Sequence, residues 1–341
     1  MEQFTWKHQP IPAPAATQDP ATADFSLGDL TVVPGGHGEG LVALGTTADG
    51  KCTGIRFAAK HGAYSGPVVV LQAGVHGDEY DGQEAVRRMI SEIDPATLRG
   101  TVVAIPCLNE AGFEAAARTS AVDHANMNRI YPGSPTGTLT DRLADLYVRE
   151  IVSAADAMVD LHTGGAYGQI APLAIVQRGY EELAIALGLA AGNAVVWKGG
   201  KWGGTARSAF LEAGKPAVTL EFGGGRYERE VMEHHLASLR NILRAFGMID
   251  GHAVYLDRYT QVDATFAHAE GGGFYVAEVE PGDVVERGTV LARIVGHLGE
   301  VRETVTAEED GLTVWVRRRC TVNIGEETII FGRIEGEIVV T

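Results

Sequence analysis

The chain has 341 residues, 45% of them hydrophobic and 21% charged, which excludes a disordered, collagen-like or disulfide-dense protein and points to two domains. A formal net charge of −16 argues against nucleic acid and anionic membrane surfaces as partners, because phosphate backbones and acidic lipids repel such a chain. Cys52, Cys107 and Cys320 form no CxxC pair, so a thiolate zinc cluster is excluded and buried, reduced thiols are expected.

Residues 1–30 hold Pro10, Pro12, Pro14 and Pro20 and few apolar clusters. They read as an extended arm, packed on the surface or on a neighbouring subunit, which leaves a homo-oligomer open. No charged-then-apolar leader pattern opens the sequence. No apolar run reaches the roughly 18 residues of a membrane span, so the cytoplasm is the expected compartment.

From Leu30 onward, strand and helix patterns alternate. Val68–Leu71 is an apolar, β-branched run and predicts a strand. Gly82–Ile93 places Ala85, Val86, Met89 and Ile90 at helical spacing. Thr101–Ile105 is the next strand, and Thr140–Ala154 the next helix, with Thr140 as its cap. Strands at Ala157–Leu161, Val195–Trp197 and Ala217–Phe222 alternate with helices at Tyr180–Gly188, Thr205–Ala213 and Arg229–Phe246. This order predicts an α/β fold over residues 31–250, with a mixed, mostly parallel sheet flanked by helices.

After Gly247 the texture changes to short β-rich runs, and residues 251–341 read as a small all-β C-terminal domain. The stretch from Gly273-Phe274 through Glu280-Pro281-Gly282-Asp283 to Leu291 resembles half of a biotinyl/lipoyl-type barrel. A carrier of that kind needs a lysine at a hairpin tip, and the last lysine of the chain is Lys215. The tail therefore reads as a scaffold or lid.

In open α/β sheets, ligands lie beyond the carboxyl ends of the strands. Three strand ends carry chemistry here: Gly74-Val75-His76-Gly77-Asp78-Glu79, then Asp160-Leu161-His162, then Glu221-Phe222-Gly223. Two histidines and a carboxylate form one standard ligand set for a catalytic zinc ion with an open position. H-x-x-E alone is also met in surface loops, and a histidine at a strand end is also met as a hydrogen-bonded core residue. The joint placement past apolar strands is what favours His76, Glu79 and His162 as one site. Glu221 ends an apolar strand, where a carboxylate is costly unless paired or near a metal. It reads as a general base and acid, or as a structural glutamate bound to an arginine.

Between these strands lies Asn126-Met127-Asn128-Arg129, with Arg118 upstream. Asn128 and Arg129 in one turn-rich loop could clamp a carboxylate. Arg207, at a helix start, could polarise a carbonyl or hold a second acid group. Each arginine could instead be a solvated surface charge.

The order H-x-x-E, N-x-N-R, D-L-H and E-F-G resembles the succinylglutamate desuccinylase/aspartoacylase family, relatives of zinc carboxypeptidases. The resemblance covers about residues 45–341. It implies one Zn2+ per chain on His76, Glu79 and His162. It implies substrate-binding roles for Arg118, Asn128, Arg129 and Arg207, and a catalytic role for Glu221. The implied substrate is a small N-acylated amino acid. Gly77–Gly82 and the Arg129-x-Tyr131-Pro132-Gly133 ending look like the branch of N-acetyl-diaminobutyrate deacetylases. Some members contribute a tyrosine from the tail; Tyr275 lies in that region and is not assigned to the site. The competing readings are a metallocarboxypeptidase acting on short peptides and a non-catalytic anion-binding protein.

Overall fold

The structure, a computed structural model, describes residues 2–48, 50–199 and 203–341. The N-terminal arm opens as a strand, β1 (Glu2–Trp6), which lies parallel to the last residues of the chain, Trp6 opposite Val340. The Trp6 indole is buried and packs on His8 and Tyr255 at 5.1 and 5.2 Å. A hairpin of β2 (Phe25–Leu27) and β3 (Leu30–Val32) follows. The segment expected as an extended, packed arm is thus held to the chain by backbone pairing and aromatic packing.

Strands β4 (His37–Thr46) and β5 (Cys52–His61) form a long antiparallel hairpin. Next come β6 (Tyr64–Ala73), α1 (Tyr80–Glu92), β7 (Arg99–Ile105), the short α2 (Glu110–Glu114) and a 3-10 turn at Met127–Arg129. Helix α3 (Leu139–Leu146) continues into a π-helical turn at Tyr147–Val152. Its cap is Thr138, not Thr140. The Thr138 amide donates to Asp141 in a reciprocal capping box, while Thr140 is buried and bonds to Asp123 through both its amide and its hydroxyl. The chain then runs through β8 (Ala157–His162), β9 (Gly168–Gln177), α4 (Glu181–Ala190), β10 (Val195–Gly199), α5 (Ala206–Glu212), β11 (Ala217–Gly223) and α6 (Arg229–Ala245).

Parallel pairing holds the centre of the sheet, in the order β7-β6-β8-β11. Antiparallel pairs flank it: β5 on β7 at one side and β9 on β11 at the other. The sheet is therefore mixed, and the parallel character expected of most of it is confined to these central strands, to β9-β10, and to the pairings of β10 and β1 with two strands of the tail. Asp160 shares a row with Gln72 and Thr219, facing α5 and the π-turn through the Arg207–Thr219 and Tyr147–Gln72 contacts. The neighbouring Leu161 points to the other face, against Gly82 of α1. Helix α6 touches both α1 and α4 on that second face.

The tail adds β12 (Arg258–His268), β13 (Gly273–Ala277), β14 (Val284–Val285), β15 (Val290–Val295) and β16 (Val301–Thr306). It ends with β17 (Gly311–Arg317), β18 (Thr321–Val322) and β19 (Glu327–Val340). Strands β13, β15, β16 and β18 form a small separate sheet over a core containing Tyr275, Leu291 and Ile294. The others join the main sheet. The pairings β9-β10, β10-β12, β12-β19, β19-β17 and β17-β9 close into a ring of five strands. Its interior is filled by Leu173, Val195, Trp197, Val262, Val314 and Trp315, among others. The tail, read from the sequence as a domain of its own, thus shares a barrel with the α/β layer.

Cys52 and Cys320 are exposed and Cys107 is half-buried, so the thiols are free but not the buried set expected. Among the described residues no helix is long and apolar enough to cross a membrane.

Candidate active site

Loop 74–79 carries His76 and Glu79 from the end of β6 to the start of α1. Gly74 adopts a left-handed φ of +67° to turn it. A Cβ on Gly77 would stand 2.0 Å from the Gly112 carbonyl carbon, so the loop lies directly against the backbone of α2. His162 is the last residue of β8, and Glu221 is its register partner on β11. Residues paired across a ladder share a face, so parallel pairing alone brings these two side chains together. A bulge follows, where the register shifts between Glu221 and Gly223. The opposing residues of β9 include Pro172, which needs no ladder donor there.

His76, Glu79 and His162 meet out of water, each 2% exposed, with one donor atom from each within 4.8 Å of the others. Glu79 stands between the two rings: Oε1 lies 2.8 Å from His76 Nδ1, and Oε2 lies 2.8 Å from His162 Nδ1. The outer nitrogens are also occupied. His76 Nε2 is 3.1 Å from Asn126 Oδ1, an oxygen that already accepts from the Asn128 amide. His162 Nε2 is 3.0 Å from Asp160 Oδ2.

Burial favours the neutral ring of His76 and pushes its pKa down to about 4, against the attraction of Glu79. Burial opposes the charge on Glu79 and His162 too, but it is outweighed. The two imidazoles hold the Glu79 carboxyl well below the usual carboxylate range. Asp160 and Glu79 hold His162 well above the usual histidine range. A neutral His76 has one N–H and one lone pair, yet both its ring nitrogens face acceptor oxygens. In either tautomer a lone pair is directed at an oxygen, and a cation between them relieves that conflict. Two imidazoles and a carboxylate therefore fit a divalent ion, by donor chemistry and by the acceptors left facing one another.

Glu221 lies across this cluster, and no described residue donates a hydrogen bond to it. Burial pushes its pKa up to about 8; the positive His162 opposes the rise and the neighbouring Glu79 adds to it. Arg118 donates to Glu79 Oε1 at 3.0 Å. Asn128 Oδ1 is taken by the Ala206 amide at the start of α5, and its Nδ2 lies 3.4 Å from His162 Nε2. Arg129 donates one bond, to the Asn128 carbonyl. Arg207 is buried and donates from Nη1 to Thr219, while Nε and Nη2 have no acceptor among the described residues. All eight residues singled out from the sequence line one cavity of about 520 Å³.

The barrel supplies the rest of the wall: Ile170, Trp197, Phe266, Trp315 and Ile330, with Glu326 and Glu327 at the rim. None of these carried a signal in the sequence, because they reach the site only through ring closure. Tyr275 is buried in the small sheet, where its hydroxyl donates to the Thr328 carbonyl, and it does not line the cavity. Thr163 and Asn126 were within view in the sequence, beside a ligand histidine and in the N-x-N-R run. Each bonds to the cluster, Thr163 through its amide to Glu79 Oε2 at 3.2 Å.

The catalytic-domain model of the succinylglutamate desuccinylase/aspartoacylase family matches residues 65–246. The chain belongs to that family. Among characterised relatives it is 30% identical over 288 residues to the N-alpha-acetyl-L-2,4-diaminobutyric acid deacetylase of Halomonas elongata, covering 79% of this chain and 83% of that protein. The product-bound ectoine utilization protein EutE (DoeB) of Ruegeria pomeroyi superposes with a TM-score of 0.81 at 25% identity, over 93% of this chain and 99% of the other. A succinylglutamate desuccinylase of Silicibacter sp. TM1040 shares the fold, with a TM-score of 0.82 at 24% identity over 94% and 100% of the two chains.

Proposed function

We propose that this protein is a zinc-dependent amidohydrolase that removes an acetyl or similar acyl group from a small N-acyl amino acid. The observation that carries the reading is the buried His76–Glu79–His162 cluster with Glu221 facing it. His76, Glu79 and His162 would hold one Zn2+. When bound, the ion would supply Lewis acidity, making a nearby water more acidic and polarising the acyl carbonyl.

The chain's own groups do the remaining work. Burial brings the Glu221 pKa close to neutral pH, so that its ionised form can accept a proton and its protonated form can return one. Glu221 takes a proton from the attacking water and returns it to the amine nitrogen as the C–N bond breaks. Arg118 has N–H groups beyond the one on Glu79 to stabilise charge on the acyl oxygen. Asn128 Nδ2 and Arg129 orient the substrate carboxylate, and the orphaned Nε and Nη2 of Arg207 hold a further acceptor.

The deacetylase relative, which acts on an acylated diamino acid, supports acetyl-diaminobutyrate as the first substrate to try. Glu327 and Arg129 line the same cavity and attract one another, so both charges of such a substrate would find a partner. Walls from the barrel favour small molecules over peptides. The test is a panel of acetyl-, succinyl- and other acyl-amino acids alongside short peptides, reading free amine from zinc-loaded protein. Release from the acyl amino acids is expected. Cleavage of the peptides alone would replace this reading with a carboxypeptidase.

A further inference from the structure

One row of polar side chains crosses the centre of an otherwise apolar sheet. Gln72 on β6, Asp160 on β8 and Thr219 on β11 are register partners. Gln72 and Asp160 are fully buried, and Thr219 nearly so. Each interrupts an apolar run: Val-Val-Val-Leu-Gln-Ala, Ala-Met-Val-Asp-Leu and Ala-Val-Thr-Leu-Glu. Polar groups in such a place are destabilising unless each finds a partner.

The partners form a chain with a direction. The Tyr147 hydroxyl donates to Gln72 Oε1. This fixes the Gln72 amide so that Nε2 donates to Asp160 Oδ1 at 3.0 Å. The other Asp160 oxygen lies 3.0 Å from His162 Nε2. Tyr147 is fully buried and is the first residue of the π-turn that interrupts the helix after α3. Such turns often mark functional positions, since the extra residue re-aims a side chain. Neither Gln72 nor Tyr147 lines the cavity.

We infer that Gln72 and Tyr147 are positioning residues for the ion site, acting through Asp160 to hold the His162 ring with its Nδ1 lone pair turned toward Glu79. The inference rests on the proposed ion site and extends it to two residues that touch neither ion nor substrate. An isosteric hydrocarbon at position 72 leaves Asp160 Oδ1 without its donor. The carboxylate is then free to rotate, and His162 loses its fixed orientation. Partners of this kind change metal affinity by about 10–100-fold when removed.

The test is chelator competition for Zn2+ with wild type, Gln72→Leu, Tyr147→Phe and the control Val70→Ala. Val70 lies on the same strand, nearly fully buried, so this variant reports general loosening of the core. The visible spectrum of the Co2+-loaded proteins gives a second readout, sensitive to ligand geometry. Gln72→Leu is expected to weaken ion binding at least about tenfold and to alter the Co2+ spectrum. Tyr147→Phe is expected to do the same to a smaller degree, and Val70→Ala is expected to do neither. Gln72→Leu and Tyr147→Phe matching wild type in both readouts overturns the inference, as does an equal change in Val70→Ala. Wild type that takes up no ion sinks the underlying site instead. Should Gln72→Leu fail to fold, Tyr147→Phe, which removes one oxygen, decides alone.

Discussion

The central parallel strands and the five-stranded barrel meet at one cavity but bring different things to it. The strands deliver the titratable groups, buried and tied to one another: Glu79 to both histidines, His162 to Asp160, Asp160 to Gln72. The barrel delivers walls: Trp197, Phe266, Trp315 and Ile330, together with the buried Arg317 and the more exposed Glu326 and Glu327. The titratable groups thus sit where a strand-end loop and the ladder register of His162 and Glu221 hold them. On the proposed function, selectivity would rest with the side chains that the barrel strands bring to the cavity. Changes in the strands should strike ion binding and turnover, and changes in the barrel should strike substrate affinity.

The largest effect that would break this division is at Glu221. Glu221→Gln is expected to lower kcat by roughly a thousandfold while ion content stays at wild-type level. Retained activity in that variant removes Glu221 from proton transfer. Next is the pH dependence of ion uptake. Asp160 and Glu79 hold a proton on His162 well above the usual range, and the ion must displace it. Affinity should therefore fall about tenfold per pH unit on acidification, with a proton released on binding. Calorimetry in two buffers of different ionisation heat measures that proton, and its absence would mean that His162 is not a ligand.

On the barrel side, Phe266→Ala is expected to raise KM by about tenfold with kcat and ion content little changed. A large fall in kcat instead would show that the wall also shapes the reacting geometry. The smallest effect concerns the fold. His235 of α6 is 1% exposed, and burial pushes its pKa down to about 4. Between pH 6.5 and about 4 the unfolded chain takes up a proton that the fold refuses. Stability is therefore lost as pH falls through that window, by about 3 kcal/mol at most. Denaturant midpoints at pH 7 and pH 4.5 should converge in His235→Leu relative to wild type.

The same division explains what was legible in the sequence. His76, Glu79, His162 and Glu221 were singled out because strand ends in an α/β sheet predict where ligands sit, and His162 and Glu221 needed only parallel register to meet; Arg118, Asn128, Arg129 and Arg207 came from a loop run, a helix start and the family resemblance. Helices α1 and α6 were readable from apolar spacing. Strands β4 and β5 were not read, since their half-exposed alternation is diluted by small residues. Strand β9 was hidden by Pro172, which the fold tolerates opposite the β11 bulge. Ring closure depends on β17 meeting β9 across more than a hundred residues, and no local pattern encodes such a pairing. Gln72 did leave a signal, a lone amide in an apolar strand, but its meaning appears only when the register aligns it with Asp160.

The central claim is that His76, Glu79 and His162 grip one ion together, and its most direct test is zinc per chain by elemental analysis in wild type and in His76→Ala. One equivalent in wild type and close to none in the folded variant is the predicted result. An equal zinc content in the two proteins, or none in either, contradicts it.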